Sequence, residues 1–273
     1  MYKAMIARLS QGHRTIKYPK GAPPAMPDRF RGRPVLAPGT CPAGCKACAD
    51  ACPTGAIFIS GRGEDGGVDA AAVGRGAGPL RIDLGKCLFC TDCVEACPTG
   101  RLGHSKDWRL AASGRADLIV GADDGPDALR LASALRKETL RLFGRSLRLR
   151  EVSAGGCNAC EADVNVLGTI GWDIGRFGIQ MVASPRHADG LLVTGPVTAN
   201  MELALRKTWD AVAEPKMLIA VGSCAISGGP FAGLEEVRGG VEGMLPVDLW
   251  VPGCPPHPLT ILDGLLRLLG RIQ

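Results

Sequence analysis

Read by its apolar and polar positions, the second half of the chain alternates short apolar runs with longer amphipathic ones. Leu147–Val152, Leu191–Thr194, Met217–Val221 and Val247–Val251 are short and rich in Leu, Val and Ile, which predicts strands. Ile179–Ala183 is a weaker fifth. Ala199–Val212 and Leu259–Leu269 read as helices. The alternation predicts an α/β domain with a mostly parallel, flavodoxin-like sheet. Upstream the pattern is fainter. Asp127–Phe143 reads as an amphipathic packing helix, with Leu131, Leu135 and Leu142 on one broad face and Arg130, Arg136, Lys137 and Arg141 largely elsewhere. Residues 103–124 show little periodicity beyond Leu118–Val120, and Ile57–Ser60 reads as a strand.

Composition adds bounds. A chain of 273 residues suits about two domains. At 46% hydrophobic and 4% aromatic, its core must rest on Ala, Val, Leu and Ile. Residues 1–40 hold Lys3, Arg8, Arg14, Lys17, Lys20, Arg29, Arg31 and Arg33 against one acid, Asp28; that is +7 against +5 for the whole chain. This proline-rich basic segment reads as an extended arm, suited to an acidic subunit, to anionic lipid headgroups or simply to solvent. No nucleic-acid motif accompanies the charge, so nucleic acid is not an expected partner. The opening residues lack an apolar leader, and no run approaches the roughly 18 apolar residues of a membrane span. The expectation is a cytoplasmic chain whose thiols are reduced and held by metal.

The thiols carry the chemistry. All twelve cysteines fall into three sets of four. The first is Cys41, Cys45, Cys48 and Cys52, followed by Pro53; the second is Cys87, Cys90, Cys93 and Cys97, followed by Pro98. In bacterial ferredoxins C-x2-C-x2-C-x3-C-P gives three thiolates to one [4Fe–4S] cluster and the fourth to its neighbour. The second set fits that run; the first has one extra residue between Cys41 and Cys45, where Gly44 can take a positive φ. Carried over, the pattern assigns Cys41, Cys45, Cys48 and Cys97 to one cluster, and Cys52, Cys87, Cys90 and Cys93 to the other, in a small α+β bacterial-type ferredoxin domain. Structural zinc is the competing reading, but zinc does not call for the repeated Cys-Pro after a three-residue interval. The phrases Ala51-Cys52-Pro53-Thr54-Gly55 and Ala96-Cys97-Pro98-Thr99-Gly100 form an internal repeat, each a short helix ending in a turn. Between them the insert Gly61–Pro79 contains a formal GxGxxG at Gly61–Gly66, read as a surface loop because no helix follows it.

The third set, Cys157, Cys160, Cys224 and Cys254, is spread out, yet each cysteine follows an expected strand. In open α/β sheets, sites form beyond the carboxyl ends of strands. The four thiols can therefore meet at one point, with Thr194–Thr198 lining the same crevice and Thr198 as a helix N-cap. Glycines at 155, 156, 222, 228, 229 and 253 allow backbone N–H groups to approach cluster sulfurs.

Arg150–Glu161, Arg176-Phe-Gly-Ile, Ser184–Asp189, Thr194–Thr198 and Val251–Pro256 together resemble the small subunit of group 4 [NiFe] hydrogenases, a family that includes formate hydrogenlyase and is related to a cluster-bearing subunit of respiratory complex I. The resemblance covers about residues 145–270. Complex I relatives carry adjacent cysteines at the first ligand position, whereas this chain has Cys157-x2-Cys160. Residues 1–105 separately resemble the two-cluster ferredoxin subunit of the same complexes, including Pro27–Gly32. The expected organisation is an arm (1–36), a ferredoxin-like domain (37–105), a linker and helix (106–145) and a small-subunit domain (146–273).

The resemblance implies three [4Fe–4S] clusters, the third being the proximal one, and an oxidoreductase subunit that relays electrons. The Ni–Fe centre would lie on a separate large subunit. Other subunits of a membrane-bound complex would hold this chain at the inner face of the membrane, without a transmembrane segment of its own. The alternative is a nickel-free, complex-I-like NADH/quinone-type oxidoreductase. Glu161 is a candidate proton relay, with Asp163 nearby; an interface ion pair or a helix N-terminal charge competes. Arg176 is expected beside the proximal cluster or in an interface ion pair, and His187 and His257 as satisfied loop histidines.

Overall fold

The computed structural model describes residues 2–39, 41–59, 80–121, 129–135, 137–143 and 146–272. The carboxyl-terminal sheet has five strands: β6 (Leu147–Ser153), β7 (Ile179–Met181), β8 (Gly190–Thr194), β9 (Met217–Val221) and β10 (Leu249–Val251). All neighbours pair in parallel, in the order β10-β9-β8-β6-β7. Numbered within the domain, that order is 2-1-3-4-5, the flavodoxin-like winding, with its switch point between β6 and β8. Strands β8 and β9 are buried at every residue, as expected of central parallel strands covered on both faces.

Helices α5 (Ala159–Val166), α6 (Ala199–Asp210), α7 (Ser223–Ser227) and α8 (Pro258–Leu268) follow β6, β8, β9 and β10. Every residue of α8 is buried, because the chain also covers its outer side. There Leu135 N–H donates to Leu268 O, and Tyr18 Oη to Asp263 Oδ1 at 2.6 Å. Asp263 in turn accepts from Arg267 Nε at 2.8 Å.

The amino-terminal half builds two small antiparallel sheets. Strand β1 (Pro34–Leu36) pairs with β4 (Leu102–His104); β2 (Ile57–Ile59), β3 (Leu80–Asp83) and β5 (Ile119–Gly121) form the other. Short helices α2 (Ala47–Asp50) and α3 (Asp92–Glu95) sit beside the cysteine runs. This is a ferredoxin-type α+β arrangement. Its third strand comes from Leu118–Val120, inside the stretch expected to be linker. The Gly61–Pro79 insert and its GxGxxG lie outside the described residues, as does Ser60.

Two expectations are corrected. The helix expected over Asp127–Phe143 is only Lys137–Phe143 (α4) among the described residues. Residues 129–135 are not helical, because their backbone bonds to other elements: Ala132 N–H donates to Ala111 O at 2.8 Å, and Leu135 N–H to Leu268 O at 3.0 Å. Leu131 and Leu135 pack on different core clusters and Leu142 is 62% exposed, so the three share no buried face. The arm is also not extended throughout. It opens with a helix, α1 (Tyr2–Gln11), none of whose residues is buried. It then runs over the body, where Ile16 N–H donates to Gly171 O at 2.8 Å.

Candidate metal centres

Each cysteine run places its thiols through local backbone geometry. Asp50, Ala51 and Cys52 at the end of α2 donate backbone N–H groups to carbonyls three or four residues back, turning the chain between Cys48 and Cys52. Its repeat partner Cys97 does the same after α3. The consequence is an exchange. Cys41, Cys45, Cys48 and Cys97 line one recess of about 230 Å³, together with Arg101, Thr99, Ile59 and Leu102. Cys52 is instead among the thiols whose charges bear on Cys87, with Cys93 and Cys90.

The electrostatics suit thiolates held by a cationic group. Burial, and then mutual repulsion with Cys52, Cys93 and Cys90, pushes the Cys87 thiol up to about 12. Burial and Cys90 push Cys93 up to about 11. Deprotonating several of these groups at once is unfavourable unless positive charge arrives with the site's occupant. Cys97 is the exception. A hydrogen bond from Thr99 Oγ1, at 3.5 Å, and one from the Leu102 backbone draw its thiol down to about 6. Ala56 N–H donates to Cys52 Sγ at 3.2 Å, Phe89 N–H to Cys87 Sγ at 3.3 Å, and Arg101 to Cys41 Sγ at 3.4 Å. Such donors stabilise sulfur charge.

The third set converges at the carboxyl edge of the parallel sheet. Cys157 follows β6, and Cys160 lies in the first turn of α5. Asn158 between them adopts a left-handed φ of 69°, a conformation Asn tolerates better than most residues. Cys224 is in α7 after β9, and Cys254 follows β10. Burial raises the Cys160 thiol well above its usual range, as do the charges of Cys224, Glu161, Cys254 and Cys157. Burial and then Cys254 and Cys157 push Cys224 up to about 11.

The cradle is cut close. A Cβ on Gly222 (φ 90°) would lie 2.5 Å from Cys160 Sγ, so only glycine leaves that sulfur its place. A Cβ on Gly195 would lie 2.5 Å from Gly156 N, where the loops after β8 and β6 pass backbone to backbone. The donor sets suit iron–sulfur clusters in their chemistry: the thiols of each set share a recess or bear on one another's charge, backbone donors lie on sulfurs, and glycine stands where a side chain would intrude.

Two residues behave differently from expectation. Arg176 does not face the thiols; its guanidinium donates to Ile16 O (2.7 Å) and Tyr18 O (2.8 Å) and lies over the Phe177 ring, clamping the arm. Thr198 occupies the N-cap position of α6, but its hydroxyl makes no capping bond. Glu161 is buried, and its Oε1 accepts from Ser153 Oγ (2.6 Å) and Thr194 Oγ1 (2.7 Å). Burial opposes its ionisation, but those two bonds outweigh it and hold the carboxyl below its ordinary value. This carboxylate braces α5 against β6 and β8. Asp163 lines a recess with Cys254 and His257, and burial raises its carboxyl. His257 caps α8, its Nδ1 accepting from Leu259 N–H; His187 is exposed in a 3-10 turn.

Sequence reasoning missed Arg101, Ser153 and Ser223. Arg101 and Ser223 belong to no motif, and Ser153 was visible only as part of the Arg150–Glu161 segment. Thr99 was visible only as part of the Cys-Pro-Thr-Gly repeat. Ser223 matters most. Its Oγ donates to Cys87 O at 2.6 Å, Ser227 Oγ donates to Gly85 O at 3.0 Å, and the turn at 85–87 therefore seats on the helix that carries Cys224. Cys90 lies close enough to Cys254 for its charge to raise that thiol, after burial and Cys157. Cys48 lies similarly near Cys93. The second thiol set thus neighbours both of the others, through Cys48 on one side and Cys254 on the other, and Cys41 of the first set and Cys157 and Cys254 of the third are exposed.

Comparison with known proteins accounts for both halves. Residues 157–268 match the family described as NADH ubiquinone oxidoreductase, 20 Kd subunit, and residues 40–101 match the 4Fe-4S dicluster domain. Formate hydrogenlyase subunit 7 of Escherichia coli is 40% identical over 52% of this chain and 55% of its own length, so the chain spans little more than half of that relative. The probable membrane-bound hydrogenase subunit mbhJ of Pyrococcus furiosus is 38% identical over 48% of this chain and 79% of its own. An NADH-quinone oxidoreductase subunit of Heliobacterium modesticaldum is 41% identical over 44% of this chain and 69% of its own.

Proposed function

The chain belongs to the family of the NADH ubiquinone oxidoreductase 20 Kd subunit, and from that premise we propose that it is the iron–sulfur electron-transfer subunit of a hydrogenase-like or complex I-like oxidoreductase. Three quartets would hold the metal: Cys41, Cys45, Cys48 and Cys97; Cys52, Cys87, Cys90 and Cys93; and Cys157, Cys160, Cys224 and Cys254. Bound there, [4Fe–4S] clusters would supply one-electron carriers. The chain's own residues orient and insulate them. Thr99, Arg101 and the backbone N–H groups of Ala56 and Phe89 donate to sulfurs, and Ser223 locks the Cys87 turn to the Cys224 helix.

The observation that carries this reading is that neighbouring thiol sets lie next to one another. Cys90 neighbouring Cys254 across the joint between the two halves is what a relay needs and what separate structural zinc sites do not. Exposed Cys157 would mark the edge where a catalytic large subunit seats, and exposed Cys41 the side nearer a donor or acceptor. No helix among the described residues is long and apolar enough to cross a membrane, so association with a membrane complex would run through partner subunits or the chain's surface.

Within this class we favour a group 4 [NiFe] hydrogenase of the formate-hydrogenlyase kind, because Cys157 and Cys160 are separated by two residues rather than adjacent. The second reading is a nickel-free NADH/quinone-type complex, since the NADH-quinone oxidoreductase relative matches about as closely. Metal analysis of the complex purified through a tag on this chain separates them. The favoured reading expects about one nickel per complex beside cluster iron. Full iron without nickel, from nickel-supplied cells, would select the second.

A further inference from the structure

Helix α1 is not used by anything described above. Its apolar residues Tyr2, Met5, Ile6 and Leu9 stand at i, i+3, i+4 and i+7, one stripe on a helix. They are 77%, 62%, 48% and 82% exposed. At about 100° per residue, Lys3 and Arg8 fall on opposite flanks of that stripe. A helix that buries nothing of its own domain gains no stability from leaving such a face in water.

The surroundings continue the pattern. Beyond α1 the arm carries Arg14, Lys17 and Lys20, and no Asp or Glu occurs before Asp28. The arm meets the body at the loop where Thr15 Oγ1 donates to Ile170 O at 3.1 Å and Ile16 N–H to Gly171 O. Ile170 in that loop is itself 68% exposed. Apolar side chains flanked by cations and by no acid, on a short helix whose following arm is held to the body, form the composition of an interfacial helix lying in a headgroup layer.

We infer that α1, with the adjoining basic arm and Ile170, docks on an anionic lipid bilayer surface. The occupant follows from charge: a face with cations on both flanks and no acid matches a negative headgroup plane, to which each nearby Lys or Arg contributes. A helix about 15 Å long inserts few residues, so it orients and strengthens attachment. The inference does not depend on which large subunit the chain serves.

The test is flotation of the purified, cluster-loaded full chain with vesicles of phosphatidylcholine alone or mixed equally with phosphatidylglycerol. Variants are Met5→Glu with Leu9→Glu, and Lys3→Ser with Arg8→Ser. Because α1 buries nothing, both should keep the visible absorption of the parent, which reports an intact fold. The expected result is about tenfold or greater preference for the anionic vesicles, weakened by about 0.5 M salt. The double glutamate variant should lose that binding, and the double serine variant should weaken it. Absence of parent binding to anionic vesicles, or equal binding by the glutamate variant, overturns the inference. So does a parent that self-associates through α1, with the glutamate variant monomeric and lipid binding unchanged, because the stripe would then belong to a protein contact.

Discussion

Single atoms set the chemistry at the thiols. Gly222 leaves the space that Cys160 Sγ occupies, so Gly222→Ala should displace that sulfur. We expect the variant to lose about four of the irons while the ferredoxin-type half keeps its own, read as iron and acid-labile sulfide per chain. Thr99→Val removes the hydroxyl that holds Cys97 down to about 6. A donor to sulfur favours the more negative, reduced state. Its loss should therefore lower the midpoint potential of the cluster held by Cys41, Cys45, Cys48 and Cys97 in an EPR-monitored titration, leaving the others unmoved. Glu151 is a third case. Its Oε1 is buried without a hydrogen-bond partner among the described residues, and burial, then the charge of Glu161, raises its carboxyl to about 7. A carboxyl whose folded pKa is raised holds its proton longer folded than unfolded. Stability therefore falls as pH rises from about 4 to about 7, and Glu151→Gln should flatten that fall. Solvent screening of the half-buried side chain limits the gain at about pH 8 to roughly 1–2 kcal/mol. Anaerobic thermal unfolding at about pH 5 and pH 8 reads it.

At the scale of elements, α8 depends on residues outside it. Asp263 is fully buried between Arg267 and the Tyr18 hydroxyl. Asp263→Ala would strand a buried guanidinium, at a cost of about 3–5 kcal/mol. Tyr18→Phe should cost about 1.5–3 kcal/mol and free the arm, seen as faster tryptic cleavage at Lys17 and Lys20. The sequence made much of this legible. Strands β8, β9 and β10 announced themselves as apolar runs because they are buried at every residue, whereas β6 showed only through Leu147, Leu149 and Val152, with Arg148 exposed between them. The convergence of Cys157, Cys160, Cys224 and Cys254 followed from strand ends alone. Of the strands of the amino-terminal half, at three or four residues each, β2 was read at Ile57–Ser60 and β5 was visible only as Leu118–Val120, while β1, β3 and β4 are too short for periodicity to register. Helix α5 hid behind its cysteines. Residues 129–135 have helical spacing yet bond to Ala111 and Leu268, a tertiary choice that local pattern does not encode. The clamp of Arg176 on the arm was likewise invisible, since its partners at Ile16 and Tyr18 are backbone carbonyls.

The whole molecule is organised around the joint between its halves. Asp83 of β3 is held by Nη1 and Nη2 of Arg115, at 2.8 and 2.6 Å, and Arg115 Nε also reaches Glu242 at 3.0 Å. Together with Ser223 and Ser227 this ion pair fixes the Cys87 turn against the Cys224 helix. Arg115→Ala leaves Asp83 buried and unpaired, a loss of about 3–5 kcal/mol. It should also slow electron exchange between the two halves in a flash-reduction experiment more than it alters iron content. That three thiol quartets each hold a cluster is the central claim, and iron and acid-labile sulfide per chain, measured on anaerobically purified protein alongside zinc, tests it most directly. The account predicts about twelve irons and an equal amount of sulfide, falling to about eight in Cys224→Ser. Zinc in place of iron, or about eight irons unchanged by Cys224→Ser, would contradict it.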